Sequence, residues 1–111
     1  MAIINLTPHR INIVDEEGNV IKVFESAGVA RAAQNDVEIG TLEGIQIIET
    51  DFGKPIGLPE FNQGTYYIVS ALTAKAASLS GRNTRDLLLT GKTVRNGDGQ
   101  IIGCQALAKY K

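Results

Sequence analysis

Tryptophan is absent from this chain, and cysteine, histidine and methionine occur once each among 111 residues, beside three tyrosines and three phenylalanines. Each scarcity excludes something. One cysteine cannot close an internal disulfide, so Cys104 fits a reducing cytoplasm. With Cys104 and His9 as the only soft ligand types, a zinc site within one chain is not expected. A ligand that stacks on aromatic rings has few rings to choose from. No apolar run approaches the 18 or so residues of a membrane span. The start, MAIINLTPH, lacks the basic and apolar regions of a secretory signal, so secretion is not expected.

Charge of one sign is also missing. The formal net charge is -1, with lysine and arginine scattered singly. A duplex-binding surface needs a basic stripe to release counterions, so a nucleic-acid polymer is not an expected partner. A small anionic ligand remains open, because two or three arginines converging in space would hold it.

What is present is ordinary globular material, 43% hydrophobic and 21% charged, enough for a single domain over 1–111. Residues 2–6 (AIINL) and 10–15 (RINIVD) read as strands interrupted at Thr7-Pro8. Proline removes a ladder donor there and extends the residue before it. Glu16-Glu17-Gly18-Asn19 reads as a hairpin turn, with a returning strand over 20–24. Residues 26–35 break the pattern: a short helix could begin after Ser26, yet Gly28 and Val29 favour an extended or irregular segment. A strand pair is expected over 37–39 and 45–49, joined around Gly40–Gly44. DFGKPIGLPEFNQG, 51–64, holds two prolines and three glycines and reads as the one long loop. TYYIVS reads as a buried strand feeding a helix near 71–80, stopped at Ser80-Gly81. Two further strands flank a turn at Asn96–Gly99. The expected fold is α+β: about seven or eight short strands, mainly antiparallel, barrel-like or sandwich, with one helix.

Catalytic motifs do not stand out, and an enzyme is not expected. In NGDGQIIG the third glycine falls one residue late and no helix follows, so a hairpin turn explains the glycines better than a dinucleotide cradle. Cys104 lies in an apolar strand, where a thiol is structural rather than reactive. Acid–base carboxylates would have to come from Glu49, Asp51 and Glu60 around the long loop. The expected binding set is different. Thr7 and His9 flank a proline at a strand break, which aims them off the sheet. Arg31 and Arg95 offer forked donors for a phosphate or carboxylate. Ser70 ends a strand, and of Tyr66 and Tyr67, which point to opposite faces, one belongs to the core and the other is free for contact. Tyr66 is assigned to the binding set. No cofactor is expected.

NLTPH, VAR, GLPE, YIVSAL and IIGC, in this order and over nearly the whole chain, resemble a family of small proteins encoded by bacteriophages and prophages. Two departures fall in loops: Ser26-Ala27-Gly28 before VAR, and Phe61 after GLPE where a proline is common. The resemblance implies a phage accessory protein of the host cytoplasm. It further implies a homo-oligomeric sponge that sequesters a small anionic nucleotide-like signal, a cyclic nucleotide or ADP-ribose derivative, against bacterial immunity. The alternative is a protein-interaction module that docks through the GLPEF loop and its sheet edges, with no small ligand.

Overall fold

The computed structural model describes residues 2–110. Its elements in chain order are β1 (Ala2–Asn5), β2 (Ile11–Val14), β3 (Val20–Phe24), β4 (Arg31–Leu42), β5 (Ile45–Ile56), β6 (Thr65–Ile68), α1 (Ala71–Leu79), β7 (Leu87–Arg95) and β8 (Ile101–Lys109). The α+β class read from the sequence holds. Six strands form one mixed sheet in the order β1-β6-β7-β8-β2-β3, and β4 pairs with β5 in a separate two-stranded ladder.

The body sheet curls towards closure, which makes it barrel-like. Its two edge elements meet where Asn5, at the end of β1, bridges Ser26, just past β3. The Ala27 N–H then donates to Asn5 O at 2.9 Å, and the Ala30 N–H donates to Leu6 O at 2.9 Å. Antiparallel ladders join β2 to β3 and β7 to β8. The contacts of β1 with β6, β6 with β7 and β2 with β8 are parallel and short. Parallel neighbours need a crossover between them, and α1 supplies it from β6 to β7.

Local chemistry explains the single helix. Ser70 is extended and its hydroxyl accepts the Thr73 N–H at 3.2 Å, which satisfies one orphan donor of the first turn. Gly81 takes φ +84° just past the end, where the Arg82 N–H returns to Ala77 O at 3.0 Å. The buried face is Thr73, Ala74, Ala76 and Ala77. Such small side chains let the helix backbone approach closely. One core cluster joins Leu6, Ala30, Tyr67, Val69, Ala74, Ala77 and Leu87; a second joins Ile11, Ile68, Leu88 and Cys104. Tyr67 is thus the core member of its pair.

The largest departure from the sequence reading is the β4–β5 arm. Residues 31–35 read as extended or irregular and 51–56 as loop, and both lie in twelve-residue strands. Alanine, glutamine, asparagine, glycine and proline argue weakly for strand. Here the cross-strand ladder, Asn35 facing Asp51 and Gln34 facing Phe52, decides the conformation instead. The turn is shorter than expected. Glu43 and Gly44 alone close it, with φ of 51° and 79°, between the paired Leu42 and Ile45. Only residues 57–64 remain as loop. At its start a Cβ on Gly57 (φ +83°) would lie 2.6 Å from Val29 O, so the arm leaves the body through a point that admits only glycine. The radius of gyration is 16.8 Å, against about 13 Å for a compact chain of this length. The projecting arm accounts for the difference. No helix among the described residues is long and apolar enough to cross a membrane.

Candidate functional site

The strand break that the sequence placed at Thr7-Pro8 is built around Asn5, a residue the sequence reading passed over. Asn5 is 1% exposed. Its Oδ1 accepts the Thr7 N–H at 2.9 Å and the Thr7 hydroxyl at 2.7 Å. Its Nδ2 donates to His9 O at 2.7 Å and to Phe24 O at 3.0 Å. From the other side the Ser26 hydroxyl donates to Thr7 O at 2.7 Å. An asparagine side chain that caps the backbone two residues ahead is an Asx turn. The signal available in the sequence was an asparagine ending an apolar strand two residues before Thr-Pro.

The turn borders a cleft of about 400 Å³, within the range of small-molecule sites. Thr7, His9 and Ser70 line it together, which the sequence reading anticipated. Arg10, Asn12, Thr90 and Thr93 add polar groups, while Ile11, Val69, Ile101, Ile102 and Cys104 form an apolar wall. Two of the anticipated hydroxyls already have partners: Thr7 is held by Asn5, and Ser70 shares a 2.8 Å hydrogen bond with Thr73 Oγ1. Arg10 forms an exposed ion pair with Glu25 at 2.8 Å. No hydrogen bond of the His9 imidazole occurs among the described residues, and its ring stands exposed at the rim. Cys104 is buried at the back, and desolvation pushes its thiol above the ordinary value; hydrogen bonding with the Ala106 and Gly91 backbone offsets this in part. A thiol so placed is a poor nucleophile.

The other anticipated residues do not join this cleft. Arg31 opens β4 and lines a shallower groove of about 280 Å³ on the Pro8 side, which shares Thr7 and Ser70 with the cleft. Arg95 stands at the end of β7 and donates to Gly99 O at 2.7 Å across the hairpin turn. Tyr66 lines a separate groove with Arg85, Asp86 and Lys109, and the Lys109 ammonium sits 5.8 Å from its ring centroid. The side chains that would grip a phosphate together are therefore spread over three surfaces of one chain. β-strand order, which linear spacing does not encode, is the reason.

The three loop carboxylates are also apart from the cleft. Glu49 and Asp51 lie on β5, opposite Val37 and Asn35. Glu60 pairs with Lys54 at 3.4 Å. Among the described residues no group of three or more His, Cys, Asp and Glu is placed to hold a metal ion. No protein-family profile, curated protein or solved structure matches the chain.

Proposed function

We propose that this protein is a non-catalytic binding protein that captures a small anionic, nucleotide-like ligand in the Thr7–His9 cleft. The observation that carries this reading is the convergence of His9, Arg10 and the Thr90 and Thr93 hydroxyls opposite an apolar wall in one cleft. A nucleotide presents the same division, with a planar face for apolar side chains and charged or hydroxylated groups for forked and hydroxyl donors. Arg10 replaces Arg31 and Arg95 as the cation of the site. The resemblance of NLTPH, VAR, GLPE, YIVSAL and IIGC to phage-encoded proteins supports a role in sequestering such a signal against host immunity.

Calorimetry against cyclic nucleotides and ADP-ribose isomers tests this. Binding of one of them, weakened about tenfold by His9→Ala (the worth of one good hydrogen bond) with the thermal midpoint unchanged, is the expected outcome. No heat from any compound in the panel sinks the reading. If His9→Ala unfolds the chain, the histidine is structural instead.

A second reading, a protein-interaction module, is favoured by the β4–β5 arm. Val37, Ile39, Leu42, Ile45 and Ile48 are between 47% and 68% exposed on it, an apolar surface of the kind that partners cover.

A further inference from the structure

The groove that holds Tyr66 differs in character from the Thr7–His9 cleft and shares no residue with it. It measures about 260 Å³, and Phe61, Tyr66, Arg85, Asp86 and Lys109 border it together with the 62–65 turn. Strand register brings the side chains together. Ile68 of β6 faces Leu88 of β7, and Leu88 faces Lys109 of β8. Tyr66, two residues before Ile68, therefore shares its face with Lys109. The Lys109 ammonium stands 5.8 Å from the Tyr66 ring centroid, within cation–π range. Two turns hold the rim. The Thr65 N–H returns to Asn62 O at 3.1 Å, with Gly64 at φ +91° between them. The Arg85 N–H donates to Asn83 Oδ1 at 2.9 Å, which fixes the backbone that carries Arg85.

Charge in the groove is unbalanced. The ion pairs among the described residues are Arg10 with Glu25, Lys54 with Glu60 and Arg82 with Asp86. Arg85 and Lys109, both exposed, have no carboxylate partner among those residues. Asp86 is the one carboxylate of the described residues that borders the groove. It is 2% exposed, and both of its oxygens are held by Arg82. Glu60, next to Phe61 in the chain, faces Lys54 at 3.4 Å. Two free cations thus share a hollow whose lining anion is already neutralised.

We infer that this groove is a second ligand site, and that it takes a small phosphate monoester with a planar body. Such an ester carries about −1.5 to −2 charges at neutral pH, which matches two cations, whereas a carboxylate balances one. The Arg85 fork suits two phosphate oxygens, and the Lys109 ammonium acts on the phosphate as a point charge. Phe61, 38% exposed, and the half-buried Tyr66 offer ring surface to the body of the ester. The volume falls below that of a drug-sized site, so one ring bearing one phosphate fits it better than a dinucleotide. Because the two hollows have no residue in common, failure at one is distinguishable from failure at the other.

Titration of the isotope-labelled chain with phenyl phosphate, followed through its amide NMR shifts, tests this. Saturable shifts are expected at Gln63, Gly64, Arg85 and Lys109, with a dissociation constant of about 1 mM or tighter. Arg85→Gln and Lys109→Gln are each expected to weaken binding about tenfold, the worth of one charge-assisted contact, with the thermal midpoint unchanged. His9→Ala is expected to leave the affinity as it is. Inorganic phosphate, which lacks the ring, and benzoate, which lacks the second charge, are each expected to bind at least about fivefold more weakly. No saturable shift by about 20 mM overturns the inference. So do shifts confined to Thr7–Asn12 and Ile101–Cys104, an affinity that neither glutamine variant changes, or inorganic phosphate binding as well as the ester.

Discussion

The Arg82 guanidinium meets the Asp86 carboxylate in a two-pronged ion pair, with Nη1 to Oδ1 at 2.7 Å and Nη2 to Oδ2 at 2.8 Å. Both side chains are buried, at 7% and 2% exposure. The remaining donors of Arg82 are also used, on Pro59 O at 3.2 and 2.7 Å and on Asn83 O at 2.6 Å. All five N–H groups thus have acceptors, and the GLPE loop is tied to the turn between α1 and β7. Asp86 passes the tie inward, because its backbone carbonyl accepts the Tyr67 N–H at 2.8 Å.

Removing Arg82 leaves a desolvated carboxylate with no partner. Arg82→Ala is expected to cost about 3–5 kcal/mol in urea unfolding. Arg82→Lys should recover only part of this, since an ammonium cannot fork onto a carboxylate and two carbonyls at once. A loss below about 1 kcal/mol for the alanine variant would place the pair among solvated surface pairs.

Asn5 makes four hydrogen bonds from a buried amide, so Asn5→Ala strands the Thr7 N–H and takes a donor from the Phe24 and His9 carbonyls, leaving His9 O with the Thr7 hydroxyl at 3.1 Å. The expected cost is about 1–3 kcal/mol. Faster exchange of the Thr7 amide proton, beyond what the lower global stability explains, is the local sign of a loosened turn. Unchanged exchange there would show that Ser26 holds the turn without Asn5.

At Gly103 the sheet admits no side chain. A Cβ there would lie 2.8 Å from Asn12 O and 3.0 Å from Val14 Cγ1, so Gly103→Ala must push β2 from β8. About 1–3 kcal/mol of lost stability is expected from thermal unfolding. Gly97→Ala is the control, because a Cβ at that turn position meets nothing within 4 Å. Equal effects of the two would refute the steric cause.

Burial pushes the Cys104 thiol above its ordinary 9.0. A raised folded-state value means the native chain holds this proton more tightly than the unfolded chain. The contribution is complete below pH 9 and is lost as pH rises through the folded value. An aromatic disulfide reagent at pH 8 is expected to react slowly with the native protein and at the rate of a free thiol in denaturant. Fast labelling of the native chain would mean that the thiol is exposed and ionised.

Short-range chemistry was legible in the sequence. The turn at Glu16–Asn19, the helix near 71–80 with its stop at Ser80-Gly81, the 96–99 turn and the split of Tyr66 and Tyr67 between two faces all follow from glycine placement, helix propensity or strand alternation, which neighbouring residues control. Part of the cleft was legible for the same reason, since Pro8 must break a strand and Ser70 must end one. The length of the arm was not, because Ala32 to Asp36 and Asp51 to Pro55 are weak strand formers that become strands only by facing each other. Nor was the Arg82 network, whose acceptor Pro59 lies 23 residues away along the chain.

Composition and local pattern therefore determined the α+β class, the turns and the helix, through interactions within a few residues. Tertiary structure decided which side chains share a cleft. The order β1-β6-β7-β8-β2-β3 brings Thr7, His9 and Ser70 beside Thr90 and Thr93. The same order sends Arg95 and Tyr66 to other faces, and Arg31 falls in the separate β4–β5 ladder, because strand partners are chosen by long-range hydrogen bonding and burial rather than by distance along the chain.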